Sequence, residues 1–482
     1  MSIKKNIVYN VALNVVNMLF PIVTAPYISR VLGVENVGLV NFVIAYVSYF
    51  VLFAALGVSF YGVREIAKYK GNPGKTSQIF SEIFRINLIT TLIVSVCYFA
   101  SIFYISDLRQ DWLIFVLAGI SLYLAPISID WYFQGLEDFK IITYRSFVVK
   151  CCAFCGLFIF VRQRDDIIPY LLLSVFSIVG TSVWNVLYAK KRGLKLKWRH
   201  LNVKTHVKPM VVFFASNVAI SIFTVLDILM LGFLSSYEQV GFFASPNKIL
   251  ILIMVAFGSI NTVILPRISS NQQQNDAIAN KNLLQKVFDI HALLIIPASV
   301  GLCLISARFV PLFFGQEFAG SIVPMQILSF KVIVVMLNVF FASNVLVALG
   351  HENKFLIVLI VTAVLSVILN WFLIPCYGAT GAAVTTVVVE SFELLLSLLF
   401  TYKLTTIRMN WKLMGVALLF VLPFFALYVL FNELIENDIL FLSVFIGVSA
   451  LLYLVLQLFV AKNYLLDEIK NLLKNKTNAC FK

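Results

Sequence analysis

Three lysines lie inside long apolar runs of this 482-residue sequence, where a charge is unexpected: Lys150, Lys248 and Lys331. An ionised side chain at the centre of a membrane costs about 2.5–3.5 kcal/mol on insertion scales, so each should have a partner or face a wet cavity. A lysine ammonium is a movable point charge that suits phosphate. Three such cations on different helices therefore predict a cavity that accepts an anionic group.

Acidic residues occupy similar positions. Glu390 and Glu393 are one helical turn apart in one apolar run, and Asp227 lies in another. Together they predict a site for a proton or a sodium ion that drives exchange, although a carboxylate near the end of a run can equally be solvated. Asp227 and Lys248 lie on consecutive predicted helices and could simply neutralise each other. Two further candidates lie nearer the ends of their runs, Asp130 and Arg64.

A stripe of polar side chains follows the first apolar run at helical spacing. Its members are Asn10, Asn14, Asn17, Pro21 and Thr24, and two prolines, Pro21 and Pro26, interrupt the run. A later run repeats the pattern with Asn217, Ser221 and Thr224. Such a stripe faces protein or water. Two interpretations stand side by side, hydrogen bonds between helices and the wall of a cavity.

The elements that must carry these residues are transmembrane helices. The sequence is 61% hydrophobic and 12% charged, with a mean hydropathy of +0.95, which excludes a water-soluble fold. Fourteen apolar runs are long enough to cross a membrane as helices. They are residues 11–32, 37–61, 84–105, 112–133, 141–161, 167–189, 210–234, 241–265, 289–311, 322–348, 355–374, 379–401, 413–432 and 439–461.

The basic residues predict the orientation of these helices. The net charge of +14 does not form one basic face, so the sequence gives no support for nucleic-acid binding. With the N-terminus in the cytoplasm, 29 of the 37 lysines and arginines fall on that side. This asymmetry is the positive-inside signature, and fourteen spans return the C-terminus to the same side. We therefore expect a bacterial cytoplasmic membrane protein with both termini in the cytoplasm.

Two short motifs recur at equivalent places in the two halves of the chain. Residues 35–38 (ENVG) reappear as residues 238–241 (EQVG), and residues 135–138 (GLED) as residues 350–353 (GHEN). Because six spans separate the copies, the halves should be parallel repeats. We predict a six-helix lobe at 1–200, a second at 201–410 around a central cavity, an additional helix pair at 411–461 and a cytoplasmic tail at 462–482.

Motifs for enzymatic chemistry are missing from the sequence. It contains no P-loop, no HExxH and no glycine-rich dinucleotide motif after a strand. The four histidines and seven cysteines form no ligand cluster or disulfide framework. We expect a protein that is not an enzyme and that needs no metal or other cofactor.

Several segments resemble one membrane-protein family. They are residues 26–33 (PYISRVLG) with Glu35 and Gly38, 62–67 (GVREIA), 130–137 (DWYFQGLE), Asp227, Val240 and Gly241 with Lys248, and 377–383 (YGATGAA). Over most of residues 1–405 the chain resembles the Wzx-type polysaccharide flippases of the multidrug/oligosaccharidyl-lipid/polysaccharide exporter superfamily.

The resemblance implies a substrate and a mechanism. An undecaprenyl-pyrophosphate-linked oligosaccharide, such as an O-antigen or capsule repeat unit, would cross from the cytoplasmic to the outer leaflet by alternating access. A proton or sodium counter-ion and a polysaccharide polymerase complex are the expected partners. The additional helix pair also occurs in related lipid II flippases, which keeps that substrate open. A multidrug or cation antiporter and a non-transporting membrane scaffold are also compatible with the helices, and the lysines argue against a cation substrate.

Overall fold

The structure, a computed structural model, describes residues 3–197, 202–273, 277–347, 351–402 and 410–460. Over these residues the chain is helical and contains no β-strand. The predicted tail at 462–482 lies outside the described residues. The chain divides into two compact units, Met1–Ala244 and Ser245–Lys482, and each is described by itself. The boundary of the units falls within a helix, and the division into lobes at residue 200 stays a prediction.

The first unit is built from ten helices and the start of an eleventh. They are α1 (Ile3–Ala55), α2 (Val58–Lys68), α3 (Pro73–Tyr104), α4 (Ser106–Arg109), α5 (Trp112–Ala118), α6 (Ile120–Tyr123), α7 (Asp130–Gly135), α8 (Phe139–Phe160), α9 (Ile167–Lys191), α10 (Lys204–Leu234) and α11 (Tyr237–Gln273). The first helix bends at Gly33, whose φ of 77° is a left-handed conformation that favours glycine. This bend separates the first two predicted spans.

The second unit continues α11 and adds five helices. They are α12 (Ala277–Phe314), α13 (Ile322–Val339), α14 (Glu352–Tyr402), α15 (Trp411–Leu434) and α16 (Asp438–Val455), with a 3-10 turn at Gln316–Ser321 and π-helical turns at Phe340–Val347 and Leu456–Val460. A second bend lies at Gly378, with a φ of 54°. It separates the eleventh and twelfth predicted spans.

The prediction of about fourteen transmembrane helices is confirmed. Eleven helical segments of the described chain are long and apolar enough to cross a membrane. Two of these, Phe20–Lys68 and Asn353–Tyr402, each contain two predicted spans on either side of a glycine bend. The remaining span belongs to α10. The last two helices, α15 and α16, are the predicted additional pair.

One local prediction was wrong: Pro21 and Pro26 do not interrupt the first span, because both lie inside the continuous α1. The predicted span 112–133 is confirmed as the apolar segment Trp112–Gly135, but it consists of short helices with a 3-10 turn at Ala125–Ile127. Pro126 in that turn has no N–H to continue a helical ladder. The 3-10 turn separates α5 and α6 from Asp130, which begins α7.

Candidate functional site

Lys150 is held in the first unit by a residue from the predicted polar stripe. Its ammonium donates to Asn17 Oδ1 at 2.5 Å and lies 5.6 Å from the centre of the Phe20 ring. The structure therefore brings together two residues that the sequence singled out separately. Because both contacts are to neutral groups, neither neutralises the Lys150 ammonium, and since an ammonium has three donors, further donors remain for an anion.

The helices that carry this contact are fastened to each other by two further hydrogen bonds. Thr143 Oγ1 on α8 donates to the Tyr9 carbonyl of α1 at 2.8 Å. At the other end of the pair, the Tyr27 hydroxyl donates to the Val161 carbonyl at 2.7 Å. These bonds fix the register of α1 against α8, so the position of Lys150 beside Asn17 is set by the packing. Asn14 and Asn217 lie in α1 and α10, but their side chains are outside the described part of the structure.

Asp130 is bound by a cation that the sequence analysis missed. Arg145 on α8 is 1% exposed, and its Nη2 contacts Asp130 Oδ1 while its Nη1 donates to the Thr181 carbonyl at 2.6 Å. Asn185 on α9 donates to the same Asp130 oxygen at 2.5 Å. Arg145 lies five residues before Lys150 inside the predicted run 141–161, and this position was the signal that could have identified it. Asp130 thus joins three helices through an ion pair whose arginine is buried and whose carboxylate is 42% exposed.

Arg64 lies on α2 among aromatic and charged neighbours. Its guanidinium is 5.3 Å from the Tyr61 ring centre and 5.2 Å from that of Phe213. Glu65 accepts from Arg64 at 3.3 Å and from Lys68 at 2.8 Å. Half of the Arg64 side chain is exposed, so it can still contact a ligand. We call the end of the first unit that carries Arg64, Lys68 and Lys70 the basic end.

Asp227 lies on α10 near the Tyr49 hydroxyl of α1. That hydroxyl contacts the Ser221 carbonyl at 3.4 Å. The Asp227 side chain is half-buried and makes a polar or electrostatic interaction with another group. The carboxylate is therefore part of the α1–α10 packing in the first unit.

The second unit buries three of the charged residues that the sequence singled out, one on α13 and two on α14. Lys331, Glu390 and Glu393 are each less than 9% exposed. Asn338, which the sequence analysis missed, hydrogen-bonds to Glu393 and accepts from Ser397 Oγ at 3.1 Å. Asn338 follows Lys331 by two helical turns on the same face of α13, a spacing that the sequence does contain. Lys248 on α11 has an exposed side chain and interacts with another group.

At the end of the first unit opposite the basic end, the two copies of the repeated motif, residues 35–38 and 238–241, pack against each other. A Cβ atom on Gly38 would lie 1.7 Å from the Tyr237 carbonyl oxygen, and one on Gly241 would lie 2.4 Å from the Val34 oxygen. The two glycines of the repeat therefore allow main chain to contact main chain. Nearby, burial raises the pKa of the Asp111 carboxyl, and its hydrogen bond with Tyr237 lowers the pKa by less.

A cavity of about 230 Å³ lies inside the first unit. Its walls come from α1 and α2, from α3, from the broken span around Pro126, and from α9. None of its sixteen lining residues is charged. The lysine sites and this uncharged cavity are therefore separate features of the unit.

These features define a multi-pass membrane protein with charged clusters on its spans, a class that includes many transporters. The family model for polysaccharide biosynthesis proteins matches residues 3–272, more than half of the chain. The chain belongs to this family.

Curated relatives agree with this assignment. The chain is 25% identical over 405 residues to a protein of Escherichia coli K12 named "Putative O-antigen transporter", covering 83% of this chain and 97% of the relative. It is 22% identical over 407 residues to the "Capsular polysaccharide biosynthesis protein CapF" of Staphylococcus aureus, covering 83% of this chain and 99% of the relative. The resemblance inferred from the sequence motifs is confirmed.

Solved structures share the fold. The chain is similar to the lipid II flippase MurJ in an inward closed conformation, with a TM-score of 0.76, 16% identity and coverage of 95% of this chain and 99% of that one. A MATE family multidrug transporter of the MOP superfamily gives a TM-score of 0.60 at 14% identity, covering 80% and 94%. At these identities the likeness concerns the fold alone.

Proposed function

We propose that this protein is a flippase that moves an undecaprenyl-pyrophosphate-linked oligosaccharide from the cytoplasmic to the outer leaflet of a bacterial cytoplasmic membrane. Family membership and the names of the relatives support a role in polysaccharide export. The observation that carries the proposal is Lys150, a cation inside a span whose contacts are a neutral amide and an aromatic ring. Such a cation is available to a pyrophosphate.

The anionic group would be recognised by cations from several helices. Lys150 and Arg64 belong to the first unit, and Lys248 and Lys331 to the second. Asn14, Asn17 and Asn217 would contribute neutral hydrogen bonds to the sugars. No step of this process makes or breaks a covalent bond, so the protein needs no catalytic residue or cofactor.

Ion coupling would use the buried carboxylates. Asn338 hydrogen-bonds to Glu393 and itself accepts from Ser397, and Glu390 is one helical turn away. Two carboxylates this close cannot both remain charged at low cost, so the pair favours a bound proton over a sodium ion. Asp227 and Asp130 are the other coupling candidates. Asp130 is the weaker one, because Arg145 already neutralises it.

The test is depletion of the protein in its host with both leaflets analysed. We expect lipid-linked oligosaccharide to accumulate on the cytoplasmic leaflet while surface polysaccharide is lost. Accumulated lipid II with intact surface polysaccharide would favour lipid II as the substrate. Unchanged glycans with altered sensitivity to cationic drugs would favour an antiporter, and unchanged glycans and drug sensitivity would favour a scaffold. A polysaccharide polymerase as partner is tested by co-purification from the same cells.

A further inference from the structure

The cavity of the first unit extends along the end of α1. One wall follows α1 from Ile44 to Ala55, a rise of about 16 Å along the helix. Beyond the break after α1, Val58 and Ser59 of α2 continue the lining. We call this cavity, with its volume of about 230 Å³, the channel of the first unit, and its extent along α1 suits one flexible chain.

Polarity changes along this channel. We call the end of the channel at Ile44 its deep end. The serine hydroxyls there donate to main-chain carbonyls three or four residues earlier in the chain, at 2.7 Å from Ser48 to Ala45, 2.8 Å from Ser121 to Ala118 and 3.0 Å from Ser174 to Tyr170. A hydroxyl satisfied by its own helix presents little polarity to a ligand. Ile44, Val47, Val51, Val175 and Ile178 complete this part of the wall. The deep end is therefore apolar.

The end of the channel near the basic end of the unit differs. Ser59 and Ser128 line it with hydroxyls that make no hydrogen bond to the described residues, and Trp131 lines it with a buried indole N–H that likewise has no partner among them. The Asn87 amide also lies here, with its oxygen already accepting from Thr91 at 3.2 Å. Free hydrogen-bonding groups at one end and hydrocarbon at the other match an amphipathic chain.

We propose that this cavity binds the hydrocarbon chain of a lipid, with the polar end of the lipid at Ser59, Asn87 and Trp131. The absence of charge among the lining residues excludes a phosphate inside the channel, because a buried anion needs a cation or several donors. The phosphate of such a lipid lies outside, toward the basic end. The inference rests on the proposed function in one respect only: the lipid would then be the isoprenoid carrier of the substrate.

Two lipids offer this chemistry, an isoprenoid pyrophosphate and a membrane phospholipid. The purified full-length protein is placed in nanodiscs with either a polyprenyl pyrophosphate or a phosphatidylglycerol that carries a diazirine in its chain. After illumination, labelled peptides are mapped by mass spectrometry. We expect label on Val51, Val175 and Ile178. Labelling by the polyprenyl probe identifies the substrate carrier, labelling by the phospholipid probe identifies a structural lipid, and absence of label from both overturns the proposal.

Variants that fill the channel sharpen this test. Val51→Trp fills the channel from α1, and Ser174→Phe fills it from α9. If one variant folds poorly, the other still tests whether the channel binds the lipid. Val96→Trp is the matched control, because Val96 is 70% exposed on α3 and its bulk points away from the interior. We expect about tenfold less labelling of the channel in both filling variants, which corresponds to a loss of about 1.4 kcal/mol in binding free energy. The control should label as the wild type does.

The outcome is separable from that of the proposed function. If the wild-type protein translocates no oligosaccharide but its channel is labelled, the flippase proposal fails and the lipid site stands. If the protein translocates the substrate and both filled variants, properly folded, label as the wild type does, the lipid site is wrong and the flippase proposal is unaffected. Translocation of a substrate with a shortened chain should tolerate Val51→Trp better than translocation of the full-length substrate.

Discussion

The charged clusters of the two units differ in what surrounds them. In the first unit, Lys150 is half-buried and contacts a neutral amide and a phenyl ring. In the second, Lys331 is buried on α13, and Glu390 and Glu393 are buried one helical turn apart on α14. An accessible cation with neutral partners suits an anionic ligand. A pair of buried carboxylates suits the exchange of a small cation, because two neighbouring negative charges are costly unless a cation is bound.

Arg145 adds a second contrast, this time within the first unit. It is as deeply buried as Lys331 but is paired with Asp130 and donates to the Thr181 carbonyl. Lys331, in comparison, has no hydrogen bond or ion pair among the described residues. A paired buried charge stabilises the fold when intact and costs much when broken, whereas an unpaired one is retained for function. Burial alone therefore does not separate structural from functional charges here.

Replacement of the accessible cation should have the largest effect on transport. For Lys150→Ala we expect the rate of oligosaccharide translocation to fall about 10- to 100-fold, since one charge-assisted hydrogen bond to the pyrophosphate is lost. Lys150→Arg should retain a larger part of the rate because the charge remains. The measurement is translocation in proteoliposomes at matched protein levels.

The control lies on the same helix. Lys140→Ala removes an exposed lysine at the start of α8 and should leave the rate unchanged. Normal translocation by Lys150→Ala would remove the distinction between the two clusters and the anion site with it.

Breaking the paired buried cation should affect stability. Arg145→Ala removes the ion pair of Asp130, whose side chain is 42% exposed and keeps its hydrogen bond from Asn185, so we expect the cost of a lost charge-assisted hydrogen bond, about 1.5–3 kcal/mol. We expect a clearly lower unfolding temperature for the purified variant in detergent. Arg85→Ala, at an exposed position on α3, is the matched control. An unchanged unfolding temperature would show that the Asp130 contact contributes little, and Arg145 would then join Lys150 as a candidate for ligand binding.

The buried carboxylates should affect coupling more than binding. For Glu393→Gln we expect translocation driven by a proton gradient to fall about tenfold, within the range of ordinary coupling energies. Exchange of substrate without a gradient should continue, because the anion site is intact. The two rates are compared in the same proteoliposomes with and without an imposed pH difference. Equal losses in both would contradict a role limited to coupling.

The fold was largely predictable because membrane spans are long and apolar. Lys150 and Asn17 were also identified from sequence, since polar residues in apolar runs are conspicuous. Their mutual contact was not, because it depends on the register of α1 against α8. Arg145 was missed because it lies near the start of its run, where a basic residue is ordinarily interfacial. The channel of the first unit could not be predicted, since serines that bond to their own helices read as polar in a sequence and behave as apolar in the structure.

The smallest effect is expected at a surface ion pair of the basic end. Lys70 Nζ lies 2.7 Å from Glu137 Oε2, and this hydrogen bond and charge hold the pKa of the Glu137 carboxyl below its ordinary value. A carboxyl with a lowered pKa in the folded state contributes stability above its unfolded pKa of about 4.3, and loses it as the pH falls through the folded value. Because both side chains are largely exposed, solvent screening keeps the contribution small.

For Glu137→Gln we therefore expect a slightly lower unfolding temperature at pH 7 and no difference from the wild type below the folded pKa. Salt should reduce the difference at pH 7, since exposed charges are screened. The measurement is thermal unfolding in detergent across the acidic range at low and high salt. Glu137 has a φ of 57°, but glutamate and glutamine bear the same cost at this φ, so the backbone cancels in the comparison. A difference that persists at low pH would show that the effect does not come from the ion pair, and it would leave the charged residues within the spans as the protein's principal electrostatic features.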